Sequence, residues 1–525
     1  MTRAQDWIEL GMGDHGPDMR GTACWASSPA PGADGNALWA WWKWDGTRLQ
    51  AQVDPQGFYS LFCYCKGDRV ALSPSLLQLV AAGCDAAPDR AALAVFHRLG
   101  LFVEDTTPLS HVRTLPPGGR LCWSRGKLTI TGGGPEAPQV RQISRKEAVD
   151  GLITHFRASV ARILEHWPGR MCLPLTGGRD SRHILLEMLR QGRRPEACVT
   201  VHQNGKVLPP EALGARAICA RHGLALDILG HPRPRVADIA RTLVMTGLCA
   251  DEHAQMMPLH DYFAAHGGAA IDGIAGNTLT EADTEAETAL RLAEAGDFET
   301  IAQNLIDGHA AVISQPGWGR GAGPIHSPGQ DDEARALIAA AIARGVDAPN
   351  PLQMFRWRHR MRREISFVPR AILSSAERVF SAYLDPDLVA FCLSLPLSVT
   401  RDGQLHNEAI ARAFPQDVDV PFQDGFGVHG WQPGGLAHKL RSLRAIWRVG
   451  RALGLDPRQM RALATPPARL RPGTAQTYLL HALCLDGLDG TRARRLLALE
   501  KTLCARPPAA LVSERFRPGA DGGRS

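Results

Sequence analysis

Lysine is scarce in this chain: seven residues, at 43, 66, 127, 146, 206, 439 and 501, within a Lys plus Arg total of 59. Arginine supplies nearly all of the positive charge, and 53 acidic residues leave a net charge of only +6 over 525 residues. So mild an excess permits weak attraction to polyanions without demanding a nucleic-acid partner, and a solvated basic surface accounts for it. No Cys-x-x-Cys pair occurs. The twelve cysteines are scattered singly apart from Cys63 and Cys65, which excludes a written zinc ribbon or thioredoxin motif and predicts mostly buried, reduced thiols. No apolar run approaches the roughly 18 residues of a membrane span. The start, Met1-Thr2-Arg3-Ala4-Gln5-Asp6-Trp7, lacks the apolar core of a secretory signal, so the expected compartment is the cytoplasm, with no membrane partner. A Walker sequence ending Gly-Lys-Ser/Thr is absent, which argues against an ordinary P-loop NTPase. Internal repeats are absent too. What is present is globular: 44% apolar and 21% charged residues, long enough for two to four domains at roughly 100–200 residues each.

The pattern predicts antiparallel strands at 38–44, 48–53, 57–64 and 69–72, split by Asp45-Gly46, Asp54-Pro55 and Gly67-Asp68. Short helices are expected at 75–82 and 90–99, then a Leu115-Pro116-Pro117-Gly118-Gly119 turn and two strands ending near Thr131. The aromatic cluster Trp39–Trp44 reads as core of this first domain, which closes near 140. Ser144-x-x-Glu147 is a capping box, and Val149, Leu152, Ile153, Phe156, Val160, Ile163 and Leu164 follow helical spacing behind it. Strand-length apolar runs at 171–175, 197–202, 226–229 and 269–274 then alternate with helical stretches, which predicts a parallel, doubly wound sheet. Helices are expected over 284–313, 331–345, 351–375, 386–395, 438–454 and 475–500, and the last dozen residues read as a frayed tail.

The chemistry concentrates at Leu173-Pro174-Leu175-Thr176-Gly177-Gly178-Arg179-Asp180-Ser181-Arg182. A strand runs into a hydroxyl residue and two glycines, and a helix begins at once. Glycines let backbone approach a phosphate, the helix N-terminus aims free N–H groups at it, and Thr176 and Ser181 add hydroxyls. An aspartate in a phosphate cradle repels its ligand unless a cation intervenes, so Asp180 implies Mg²⁺.

Thr176-Gly177-Gly178-Arg179-Asp180-Ser181 resembles the Ser-Gly-Gly-x-Asp-Ser loop of ATP pyrophosphatases, and the chain resembles the asparagine synthetase superfamily among them. Glu211, Ala215, Ile218, Ala220 and Gly223 are similar to the helix after the family's second strand. Phe380-Ser381-Ala382-Tyr383-Leu384-Asp385, with 388–396, is similar to its Pro-Phe-Leu-Asp segment. Asp54, Gly57, Leu61-Phe62, Ala71-Leu72-Ser73, Thr107 and 112–118 resemble its glutaminase-type domain. The likeness spans roughly residues 50–125 and 145–400. It implies three parts: a degenerate glutamine amidotransferase-like domain at 1–140, an ATP pyrophosphatase domain at 141–430 and a helical extension with a frayed tail at 431–525. The fold class so implied is α/β, with a doubly wound parallel sheet beside an antiparallel glutaminase-like domain. The implied activity is AMP-forming amide ligation: a carboxylate is adenylated by ATP and joined to ammonia or an amine, the closure of a small peptide or a β-lactam being specific versions. ATP and Mg²⁺ are the implied cofactors, and a small-molecule or peptide carboxylate and an amine donor the implied partners. Leu175, Thr176, Gly177, Gly178, Asp180, Ser181, Val201, His202, Gly273 and Gly276 are the implied nucleotide contacts, Asp180 and Asn277 the metal ligands, and Asp180, Arg179 and Arg182 the catalytic residues.

Departures from the family shape the expectation. Thr2 stands where glutamine-dependent members start with cysteine, and Cys24 lies too far inside to replace it, so glutaminase activity is expected to be lost. The second pyrophosphate motif appears as Asp272-Gly273-Ile274-Ala275-Gly276-Asn277-Thr278, with Asn277 in place of an aspartate. Asp272 either compensates or caps a turn. The family's lysine before a Phe-x-Asp-Gly segment falls on Asp419 when counted back from Phe422-Gln423-Asp424-Gly425, leaving Arg360, Arg363 or Arg370 as substitutes. Arg356, Arg358, Arg360, Arg362 and Arg363 form either a solvated or ion-paired face or a phosphate contact. His202, His231, His253, His260 and His266 are expected to be packing or surface residues, and Asp385 a helix cap. Two alternatives stay open: a non-catalytic nucleotide-binding scaffold, and nucleotide-dependent tRNA modification.

Overall fold

The computed structural model describes residues 6–13, 16–28, 37–133, 138–202, 208–251, 253–313, 330–426, 436–464, 472–504 and 511–518. Ten strands come first: β1 (Ile8–Gly13), β2 (Gly16–Gly21), β3 (Cys24–Ala26), β4 (Ala40–Trp44), β5 (Arg48–Val53), β6 (Phe62–Lys66), β7 (Arg69–Ser73), β8 (Val112–Thr114), β9 (Arg120–Ser124) and β10 (Lys127–Thr131). They form two antiparallel sheets, ordered β2-β1-β7-β6-β8 and β10-β9-β5-β4-β3. Strand alternation divides their side chains between two cores. Cys63, Val70 and Leu72 join Ile8, Leu10, Trp42, Val53 and Trp123 in one core drawn from both sheets. Phe62, Tyr64 and Ala71 face the other way, onto the helix Leu76–Ala81 and onto later parts of the chain. Two expectations are corrected here. Strands begin at Ile8 rather than 38, and Gly57–Leu61 is a loop, held because the buried Asp54 carboxylate accepts N–H groups from Gln56, Phe58 and Tyr59.

The capping box is formed as the sequence requires. Ser144 accepts the Glu147 N–H, and the Glu147 carboxylate takes the Ser144 N–H at 2.9 Å, opening the helix Arg145–His166. A mixed six-stranded sheet follows, ordered β15-β14-β11-β12-β13-β16, built from β11 (Met171–Pro174), β12 (Ala197–Val201), β13 (Leu226–Leu229), β14 (Ala269–Asp272), β15 (Val379–Ser381) and β16 (Val512–Phe516). The first five in that order are parallel, and β16 lies antiparallel on β13. Both faces are buried: Met171, Leu173, Leu226 and Ile271 point into one core, Cys172, Val199, Leu229 and Ala270 into another. The molecule is therefore α/β, with antiparallel and mixed sheets. The expected frayed tail is corrected in part, since Val512–Phe516 pairs with β13, where Arg515 donates to the buried Asp227 carboxylate.

The stretch expected to be one helix over 351–375 is instead broken: π-helical turns at Arg356–Ile365 and Val368–Ile372 follow a short helix at Pro351–Phe355. Its arginines reach the first two sheets. Arg362 donates to the carbonyls of Gly57 and Leu115 and pairs with Asp105, Arg363 donates to the carbonyl of Thr106, and Arg370 donates to that of Pro74 while lying over the Phe367 ring at 4.2 Å. The helices Leu436–Leu453, Pro472–Leu485 and Gly490–Cys504 complete the joint, sharing a core with the helix Arg235–Met245 and the β6–β7 face. Among the described residues no helix is long and apolar enough to cross a membrane.

Candidate active site

Chain order runs outward from β11 through β12 to β13 and then returns to the other side of β11 for β14. Open α/β sheets bind ligands at such a reversal, beyond the C-terminal strand ends. Both glycine-rich segments singled out in the sequence lie there. Leu175–Gly178 follows β11 and leads into the helix Arg179–Arg190, and Gly273–Ala275 follows β14 and leads into the short helix Gly276–Thr280.

The first loop is organised by its hydroxyls. The Thr176 N–H donates to Ser181 Oγ at 3.0 Å, and the Gly178 N–H donates to Thr176 Oγ1 at 3.2 Å. Leu175 is buried and its N–H continues the ladder to the Val199 carbonyl. Gly178 is the N-cap of the following helix and has no side-chain cap, so that helix's first turn lacks the usual internal acceptor for its free N–H groups. Gly177 is required sterically: a Cβ there would sit 3.0 Å from the Gly214 Cα, and one on Gly214 2.6 Å from the Gly177 Cα. The Gln423 N–H closes the contact by donating to the Gly177 carbonyl at 2.9 Å. The Phe422–Gly425 segment thus lies on the loop, although Asp419 points away and pairs with Arg221 at the surface.

Asp180 stands between the two loops. Its Oδ2 accepts the Asn277 N–H at 3.3 Å, while its Oδ1 is buried with no hydrogen bond and has the His406 Nδ1 at 3.4 Å. A Cβ on Gly276 would fall 2.4 Å from the Asp180 Cγ, and one on Gly273 3.2 Å from its Cβ. Both glycines are what lets the carboxylate enter. Burial pushes Asp180 up to about 7, the Asn277 N–H and Arg179 oppose the rise, and Glu281 and Asp272 add to it. Asp272, at the end of β14, is buried, keeps Oδ2 without a hydrogen bond, and is also pushed up to about 7 by burial. Asn277 itself is exposed and contributes its backbone N–H.

The half-buried Asp180 and the buried Asp272, each with an orphaned oxygen and with the Asp272 charge raising Asp180, are a donor set that fits a hard divalent cation. The described residues contain no group of three or more His, Cys, Asp or Glu that could hold a metal by themselves. Phosphate oxygens and water would have to supply the rest of the shell, the usual arrangement for Mg²⁺ with a nucleotide.

Behind Asp180 lies a buried polar relay that sequence reasoning missed. His406 Nε2 is 3.2 Å from the Tyr383 hydroxyl and 3.1 Å from His183 Nδ1, its Nδ1 is 3.4 Å from Thr280 Oγ1, and the Tyr383 hydroxyl is 3.3 Å from the Asp180 carbonyl. Burial, with Arg179 nearby, pushes His406 down to about 3, so it is a neutral imidazole at physiological pH. Nothing local marks His406 in the sequence: it reaches the site on the helix Leu405–Ala413.

The arginines take different places. Arg179 pairs with Glu281 and donates to the Gly403 carbonyl at the rim of the site. Arg182 turns inward, buried, donating to the carbonyls of Val420 and Pro421 with its guanidinium 4.0 Å over the Phe422 ring, so it latches the loop's cover. Arg363 and Arg370, considered as charge donors, lie at the joint with the first sheets, and Arg360 pairs with Glu364. Val201 ends β12, and His202 follows it, its N–H donating to the Leu229 carbonyl. Asp385 is a helix cap, accepting the N–H groups of Asp387 and Leu388. Cys24 lies exposed on β3, and Thr2 falls outside the described residues. No protein-family model and no curated protein matches this chain.

Proposed function

We propose that this protein is an ATP-dependent, AMP-forming carbon–nitrogen ligase with a doubly wound sheet of the ATP pyrophosphatase type, resembling the asparagine synthetase superfamily and without glutaminase activity of its own. The observation that carries the reading is the meeting of Asp180 and Asp272 at the chain reversal, beside an uncapped helix N-terminus and two glycine turns. In this reading a substrate carboxylate attacks the α-phosphorus of ATP, pyrophosphate departs, and ammonia or an amine then displaces AMP from the acyl carbon, leaving the amide and a proton. Carboxylate oxygen is otherwise a poor leaving group, and forming the mixed anhydride is what makes it leave. Asp180 and Asp272 would hold Mg²⁺, which neutralises charge on the departing pyrophosphate. The N–H groups at the start of Arg179–Arg190 and the Thr176 hydroxyl face the phosphates, and Arg179 orders the rim through Glu281. His406, positioned by Tyr383 and Thr280, stands behind the carboxylate, and the Tyr383 hydroxyl holds the Asp180 backbone carbonyl.

Titration of Mg²⁺ with an α,β-methylene ATP analogue into the wild type and Asp180→Ala tests this calorimetrically. Metal-dependent binding that the variant loses is expected, and carboxylate-dependent pyrophosphate exchange is the activity that follows. Affinity should rise from about pH 6 to about pH 8, because the cation competes with protons on the two raised carboxylates. A second reading is favoured by the commitment of Arg179 and Arg182 to protein partners: a nucleotide-binding scaffold that holds ATP without turning it over. Binding without exchange across a broad panel of carboxylates would select it.

A further inference from the structure

The helix Leu436–Leu453 is amphipathic twice over. Ala445, Ile446, Val449 and Leu453 pack into the core shared with the helix Arg235–Met245. On the opposite side Leu440, Leu443 and Trp447 are 51%, 52% and 53% exposed. Their spacing of three and then four residues draws one narrow apolar stripe along the helix. Arginines border it: Arg441, Arg444, Arg448 and Arg451 are exposed, with the Arg451 guanidinium 4.9 Å over the Trp447 ring, and Lys439 is exposed on the other flank. From Gly425 to Leu455 the sequence holds no acidic residue. Across 436–504 there are 13 Lys and Arg against 4 Asp and Glu, so this extension carries more than the net +6 of the entire chain, and the remainder is slightly acidic.

The geometry points to this face as the docking surface for an acidic amphipathic helix of another protein. The stripe has the width of a two-helix seam, whereas a helix lying in a bilayer presents a broader apolar face. Leucines exposed beside the tryptophan favour side-chain packing over base stacking, which uses aromatic and guanidinium planes. Cations flanking an apolar seam select carboxylates at the flanking positions of the partner, as in heterodimeric coiled coils. A second copy of this chain is disfavoured, since the same face would bring like charges together. The acid-rich helix Ala286–Glu294 is no substitute, because its own apolar residues Ala289 and Ala293 are buried. The inference is independent of the ligase reading.

The test uses the full-length protein and two designed helical peptides of identical length, with Leu at the seam and either Glu or Lys at the flanking positions. Fluorescence anisotropy should show the Glu peptide binding at least about tenfold more tightly than the Lys peptide, with an advantage that shrinks as salt rises. Leu440→Ser/Leu443→Ser/Trp447→Ser should lose binding of both, and Arg444→Glu/Arg448→Glu should reverse the preference toward the Lys peptide. These positions are exposed, and an unchanged thermal midpoint checks that the variants are folded. Equal binding of the two peptides, or binding that survives the triple substitution, overturns the proposal. So does absence of peptide binding, whether or not the face retains anionic vesicles or tRNA.

Discussion

Two carboxylates and two glycines decide what the site can do. Gly276→Ala places a Cβ inside the Asp180 carboxylate's volume, so metal-dependent nucleotide binding should fall about tenfold or more while the circular dichroism spectrum stays that of the wild type. A titration series on that variant reads the effect directly. A second prediction concerns pH. His481 is buried, stacked on Phe96 at 4.4 Å, and donates to the Leu248 carbonyl from Nε2 at 2.9 Å, and burial pushes it down to about 4 from 6.5. A lowered imidazole pKa means the unfolded chain binds more protons, so this stability is complete above pH 6.5 and is lost as pH falls from 6.5 toward about 4. Urea denaturation of His481→Gln, which keeps an N–H donor but cannot titrate, should show a shallower loss of stability over that window. Asp180 was legible in the sequence because its signal is local: strand, glycine pair, acid, helix. Asp272 was legible as an ambiguity with both sides present in the structure: its carboxylate takes the Gly273 and Ile274 N–H groups, as a turn cap does, while its Oδ2 keeps no hydrogen bond, and beside it Asn277 offers Asp180 its backbone N–H. His406 carries no local signal at all.

Elements were readable where burial is two-sided. β11 to β14 stand out as short apolar runs because both faces of their sheet are covered. β15 has only three residues, and β16 is an edge strand reading Val-Ser-Glu-Arg-Phe, mostly exposed, so neither resembles a core strand. β1 to β3 hid behind glycine-rich, half-exposed sequence. The arginine-rich stretch read as helix is π-helical, and periodicity at 3.6 residues does not announce a wider turn. The contact between the glycine loop and the helix Pro210–Arg221 has no room for one added carbon atom. Gly214→Ala should cost about 3 kcal/mol by chemical denaturation, since backbone rather than a flexible side chain occupies the space, and it should weaken nucleotide binding in parallel. Ser144→Ala removes one half of a capping box that makes no contact with the glycine loops or Asp180, so it should cost about 1 kcal/mol and leave binding unchanged.

At the scale of the molecule, the antiparallel sheets and the mixed sheet are tied by arginines that end on backbone carbonyls. The sequence offered a solvated or ion-paired face or a phosphate contact for these residues. The structure places Arg362 and Arg363 in the joint, with the Trp357 Nε1 donating to Gln56 Oε1 beside them at 3.1 Å. Arg362→Ala strands the Asp105 carboxylate and three carbonyls, at a cost of about 3 kcal/mol, and calorimetry should show one thermal transition broadening or splitting into two. The pairing of β16 with β13 reaches across a long stretch of chain, from Leu229 to Val512. At synthesis rates of about 5–20 residues per second, the ribosome needs tens of seconds to make the intervening segment. Throughout that interval the free edge of β13, with Asp227 still lacking Arg515, is open to any other nascent strand. Slow translation of the final third should therefore favour aggregation, and supplying the 511–518 segment as a separate peptide should suppress it.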